Sequence, residues 1–183
     1  MSYSEHLKAD SETLLQCSHC SFSPLTRGHE ASLDCEACGA RFPINLEAGV
    51  CSLLSKDSNS AVKSDIRSFW GDLFKQLYAG NDEKVTRDLL AAQLDDLEDL
   101  FVKRRHLAAV EMPLKELAGK KVLEIGSGGG GHSCLFRKYG ADIVSVDLTP
   151  ERVVSTAMKL NLVSSGKGIA YQADAENLPF RND

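Results

Sequence analysis

The sequence predicts an α/β chain whose C-terminal third builds a small parallel sheet of the doubly wound type. Two observations carry that expectation. Lys121–Ile125 is a short apolar run that enters a turn holding five glycines in six residues, and a helix-like pattern follows from His132 to Tyr139. A second apolar run, Asp142–Val146, then ends on Asp147, and a third follows at Gly168–Ala173. Strands alternating with helical stretches read as βαβ units. The 183 residues leave room for more than this one unit.

Residues 1–60 have a different texture. They hold five of the six cysteines, carry 4 basic against 8 acidic residues, and lack long periodic apolar runs. Cys17-x-x-Cys20 and Cys35-x-x-Cys38 form two knuckles with 14 residues between them. Each knuckle is tight enough to set two sulfurs on one edge of a tetrahedron, so the four thiolates suit a structural zinc ion. Gly39 follows the second knuckle, where positive φ eases the turn. A module this small buries little core, and a metal would supply the missing folding energy. His19 and His29 are spare candidate ligands, whereas Cys51 and Cys134 fall outside the pattern and read as ordinary small buried residues. The polar string Ser55–Ser60 is the expected linker.

Residues 61–112 read as a helical connector. One helix is expected over Ser64–Tyr78, stopped by Gly80, with Phe69, Trp70, Phe74 and Tyr78 on one face. Those aromatics suit core packing against the next domain or, as the sharper alternative, a lid over a ligand site. A second helix carries Val85, Leu89, Leu90, Leu94, Leu97, Leu100 and Phe101 at spacings of three and four. Asn81 or Asp82 is the expected cap, Lys103, Arg104 and Arg105 suit the C-terminal end of the dipole, and Asp99 pairs with Lys103.

Residues 113–183 hold the glycine turn. Glycines let backbone approach a ligand closely, and the N-terminus of the following helix offers free N–H groups to an anion. Asp147 lies 21 residues beyond Gly126, at the tip of the neighbouring strand, where a carboxylate can accept both hydroxyls of a ribose. Gly126-x-Gly128-x-x-Gly131 satisfies a dinucleotide fingerprint, and Gly126-x-Gly128-x-Gly130 with Glu124 before it satisfies an S-adenosylmethionine pattern. The turn alone leaves both open. Asp174, just after the third strand, is placed to take an adenine amino group.

Taken together, "VLEIGSGGGG", "VSVDLTPERV" and "ADAENLPF" resemble the class I S-adenosylmethionine-dependent methyltransferases of the broad type 11 group, over about Lys120–Phe180. The resemblance implies a Rossmann-like sheet and the cofactor S-adenosylmethionine. It implies that Glu124, Gly126, Ser127, Gly128 and Gly130 lie at the methionine and ribose part, Asp147 at the ribose hydroxyls, Leu148 against adenine, and Asp174 with Ala175 at the adenine amine. Ser127 and His132 have the alternative of capping the helix, and Glu176 reads as solvated. The family sheet continues past a third strand, so the sheet is expected to be incomplete, with Lys121–Ile125 as an open edge, and the chain to be a piece of a longer protein. No catalytic base is assigned.

The segment Leu14–Leu54, with Cys35-x-x-Cys38-Gly39, Phe42-Pro43-Ile44, Gly49 and Leu53-Leu54, is similar to small zinc ribbons that accompany methyltransferases, departing in the Asn45–Val50 turn, which lacks the usual proline. That likeness implies a structural or partner-binding unit, and so a possible protein partner. A ribbon before a methyltransferase also resembles ribosomal RNA guanine methyltransferases. The formal net charge of −5 argues against a polyanion as partner and favours a small-molecule acceptor over RNA. No apolar run approaches a membrane span and the N-terminus has no apolar core, which favours no membrane association and a cytoplasmic setting. A non-catalytic docking module and a nicotinamide-dependent enzyme are the competing readings.

Overall fold

The computed structural model describes residues 3–29, 31–103 and 112–182. Arg104 and Arg105 lie outside these residues. The elements in chain order are α1 (Tyr3–Thr13), β1 (Thr26–Arg27), β2 (Ser32–Asp34), β3 (Arg41–Asn45), β4 (Val50–Ser52), α2 (Ala61–Leu77), the single turn α3 (Ala79–Asp82), α4 (Arg87–Lys103), β5 (Lys121–Ile125), α5 (Gly131–Lys138), β6 (Asp142–Asp147), α6 (Pro150–Leu162) and β7 (Lys167–Gln172). The three C-terminal strands are parallel, as their βα connections require. They are the short doubly wound sheet that the glycine turn and its flanks predict.

The ribbon does not stand apart from that sheet. β1–β4 form an antiparallel meander, and β4 then pairs in parallel with β7, Cys51 opposite Tyr171 and Ser52 opposite Gln172. One seven-stranded sheet results, in the order β1-β2-β3-β4-β7-β6-β5. Leu53 extends the pairing by donating its N–H to the Gln172 carbonyl at 2.7 Å. Nothing in the cysteine spacing announces this junction, because a ribbon hairpin and a sheet-edge strand share the same alternation.

Side chains alternate across the sheet and build two cores. On one face Ile143 and Ala170 meet Leu90, Leu94, Leu135, Phe136, Val153 and Leu160 of α4, α5 and α6. On the other, Val146, Ile169 and Tyr171 meet Leu7 of α1, Leu15 and the ribbon residues Leu25, Leu33, Phe42 and Leu53. Helix α1 was not foreseen: Leu7 is the one deeply buried apolar residue among its described side chains, too little periodicity to mark a helix, and its Asp10 accepts from the Tyr171 hydroxyl at 2.6 Å. The strand β5 is the free edge, as expected, with Leu123 43% and Ile125 51% exposed.

Three local expectations change. Ser55–Ser60 is not a free linker, since Ser55 and Ser58 are buried and bonded to each other at 2.9 Å. Gly80 lies inside α3 instead of stopping a helix. Thr86, not Asn81 or Asp82, caps α4, its hydroxyl accepting from Leu89 N–H at 3.2 Å. Helix α4 docks through Glu98 and Asp95, both of which pair with Lys138 of α5 at 2.8 and 2.7 Å. No helix among the described residues is long and apolar enough to cross a membrane.

Candidate cofactor cleft and metal centre

The strand ends β5, β6 and β7 open on the same side, and helix α2 lies across them. Between them is a cleft of about 570 Å³ lined by Gly126, Asp147, Leu148, Asp174 and Ala175 from the strand ends. Its opposite wall is α2, with Val62, Lys63, Ile66 and Trp70. The aromatic face thus divides. Phe74 enters the core, 6% exposed, while Trp70 roofs the cleft and Phe69 and Tyr78 stay on the surface.

Asp147 is oriented by backbone. Its Oδ2 accepts from Gly128 N–H at 2.9 Å and its Oδ1 from Thr149 N–H at 2.8 Å. A carboxylate offers about four acceptor positions, and these bonds use two of them. Gly126 has φ +75° and open space where a Cβ would stand, so its backbone presents a bare surface to the cleft. Gly130 serves a different purpose: at φ +80° its missing Cβ would lie 2.8 Å from Thr156 Cα, and the glycine is what lets α5 and α6 approach. Ser127 is buried and its hydroxyl sits 3.4 Å from that of Thr156.

Glu124 points beneath the turn, not into the cleft. Burial pushes its carboxyl up to about 7, and the Asp147 charge adds to this against a hydrogen bond from Ser133. Ser145 in turn donates to Ser133 at 2.8 Å. Neither Ser127 nor His132 caps α5, whose cap position is Gly130 with no side-chain bond. The His132 ring instead meets Phe101 edge-on at 5.5 Å and stacks on Phe136.

Asp174 is engaged through both carboxylate oxygens. Its Oδ2 accepts from Ser58 Oγ at 2.9 Å and pairs with Lys63 of α2, while its Oδ1 accepts from Glu176 N–H at 3.0 Å. Burial alone would raise its pKa; the bonds from Lys63, Glu176 N–H and Ser58 outweigh it and hold the group below the usual carboxylate range. Glu176 is exposed but not idle, since it accepts the same Lys63 ammonium at 2.8 Å. Sequence reasoning missed Lys63, Ser58 and Arg152. The guanidinium of Arg152 lies 4.5 Å over the Trp70 ring, and its buried Nε has no hydrogen-bond partner among the described residues. An unpaired buried donor on a cleft wall is the only local signal that could have marked it, and it exists only after folding.

The four knuckle cysteines converge as their spacing predicts. All four Sγ atoms lie within 4.8 Å of one another, with Cys17–Cys38 at 3.7 Å and Cys20–Cys35 at 3.6 Å. A zinc–sulfur bond of about 2.3 Å makes a tetrahedral edge of about 3.8 Å, so the donor set fits zinc. The Ala40 N–H holds Cys38 down at about 7, whereas burial pushes Cys17 up to about 12, and a dication is the charge that deprotonates it. His19 is no ligand: its Nε2 is 3.2 Å from the Leu54 carbonyl. Cys51 and Cys134 are fully buried core residues, as expected.

No curated relative matches the chain. A family model described as a methyltransferase domain matches residues 123–183, the stretch that contributes the glycine turn, Asp147 and Asp174. The similarity to a methyltransferase domain is thus carried by residues 123–183, the C-terminal third of the chain.

Proposed function

We propose that the chain binds S-adenosylmethionine in the α2-roofed cleft and that the domain transfers its methyl group to a small-molecule acceptor. The observation that carries this reading is the convergence of Gly126, Asp147, Leu148, Asp174 and Ala175, from three strand ends, on one wall of a single cleft. Asp147 would hold the ribose hydroxyls; Leu148 and Ala175 would flank adenine, and Asp174 would face its amino group. When bound, the cofactor supplies a methyl already activated by a positive sulfur, so alignment is the main task left to protein. Gly126 leaves room for the ligand chain, and Trp70 stacked with Arg152 forms the facing wall. The thiolate site would hold structural zinc. The net charge of −5 and the acidic ribbon support a small acceptor over RNA.

Titration calorimetry of the full chain with S-adenosylmethionine tests this. Micromolar binding, weakened about a hundredfold in Asp147→Ala, supports it. Absence of binding by the folded chain, or stabilisation by NADH alone, overturns it.

A further inference from the structure

The nucleoside end of the cleft is braced from outside the matched domain, and the bracing starts at a metal knuckle. Asp174 begins a tight turn closed by the Asn177 N–H to the Asp174 carbonyl at 3.0 Å. The turn is fastened at its far end by Asn177 Nδ2, which donates to the carbonyl of Ser18 at 3.0 Å. Ser18 stands between the ligands Cys17 and Cys20 and is buried, 7% exposed. A second route leaves the same knuckle. Ser18 Oγ donates to the Leu54 carbonyl at 3.2 Å, and His19 Nε2 approaches the same oxygen. The chain then runs through the buried Ser55 to Ser58, whose hydroxyl donates to Asp174 Oδ2 at 2.9 Å. Both routes end on one residue, the first on the main-chain carbonyl of Asp174 and the second on its carboxylate.

We propose that Asn177 and Ser58 are positioning residues for Asp174, and that a filled thiolate site fixes the Cys17–Cys20 knuckle on which both depend, so that metal in the ribbon sets selectivity for the adenine end of the ligand. This rests on the reading of the cleft as an adenosyl site. The physical logic is one of restraint. A carboxylate discriminates an amino group from a carbonyl oxygen only while held at a fixed place, because a mobile one relaxes away from the mismatched acceptor. The metal does this at a distance by fixing the backbone of residue 18, without any ligand contact of its own.

The test compares two probes on the full zinc-loaded chain, S-adenosylhomocysteine and its inosyl counterpart, in which the 6-amino group is an oxygen. Wild type is expected to prefer the adenosyl probe at least tenfold, because the oxygen sets two acceptors face to face. Asn177→Ala and Ser58→Ala each remove one brace and are expected to cut that ratio about fivefold, with zinc content retained. Neither substitution should lower the ratio further in an Asp174→Ala background. Stripping the metal should cut the ratio as well; if the stripped chain unfolds, the two alanine variants still decide. A variant that weakens both probes equally, leaving the ratio unchanged, overturns the inference while wild-type binding preserves the adenosyl reading. A wild type that binds neither probe overturns both.

Discussion

The two ends of the cleft are built in opposite ways. The glycine-turn end is self-contained: Gly126, Gly128 and Asp147 come from adjacent strands β5 and β6, and Asp147 is oriented entirely by N–H groups within this stretch. The Asp174 end is assembled from three distant parts of the chain. Ser58 and Lys63 reach it across 116 and 111 residues, and Asn177 ties it to Ser18 across 159. A local site survives wherever its own strands pair, whereas an assembled one depends on the fold of every contributor.

The largest break in this contrast comes from the metal. Chelation should destabilise the whole chain by about 3 kcal/mol or more, because one core joins Cys17 and Cys35 to Val146, Ile169 and Tyr171. Thermal unfolding followed by circular dichroism should show one transition shifted downward. An unshifted transition would mean that the ribbon and sheet unfold separately.

Next in size is the pH response of the glycine end. Glu124 has its folded pKa raised to about 7 from 4.5, with its side chain 13% exposed. A raised carboxyl pKa means that the folded state holds a proton the unfolded state has released. That contribution is complete below about 4.5 and is lost as pH rises through about 7, a swing of about 3 kcal/mol. Urea midpoints across that window should fall with pH in wild type and flatten in Glu124→Gln.

Within the turn, two glycines separate packing from binding. Gly130→Ala should cost about 2 kcal/mol of stability, since its Cβ meets Thr156 backbone at 2.8 Å. Gly126→Ala meets no atom within 4 Å and adds only the strain of φ +75°. It should therefore cost less stability and more ligand affinity, because its new methyl faces the cleft. Urea unfolding set beside calorimetry reads both, and equal stability losses would refute the division.

The same asymmetry explains what could be read from the sequence. The glycine turn, Asp147 and the thiolate cluster rest on short spacings along the chain, which survive as motifs. Asp174 was visible as the residue after the third strand, but Lys63, Ser58 and Asn177 were not. Each is an ordinary polar residue in a helix, a serine string or a turn, and its partner lies more than a hundred residues away. The β4–β7 junction was hidden for the same reason, because strand pairing between modules leaves no local period.

The smallest effect expected is also the one with the opposite sign. Asp174 has its pKa held down despite burial, by Lys63, the Glu176 N–H and Ser58. A depressed carboxyl pKa contributes stability that is present above the unfolded value, near 3.8, and is lost as pH falls through the folded one. Glu124 weakens the fold as pH rises and Asp174 weakens it as pH falls, so the two ends of the cleft bound the stable range from opposite sides. Substituting Lys63→Met should let Asp174 titrate at higher pH, moving the acid limb of the urea-midpoint profile upward while leaving the Glu124 limb in place. Because Glu176 loses the same ammonium, the loop from 174 to 177 should also exchange its amide protons faster in this variant. An acid limb that stays where it was would show that Ser58 and the Glu176 N–H alone hold the carboxylate, and that α2 roofs the cleft without charging it.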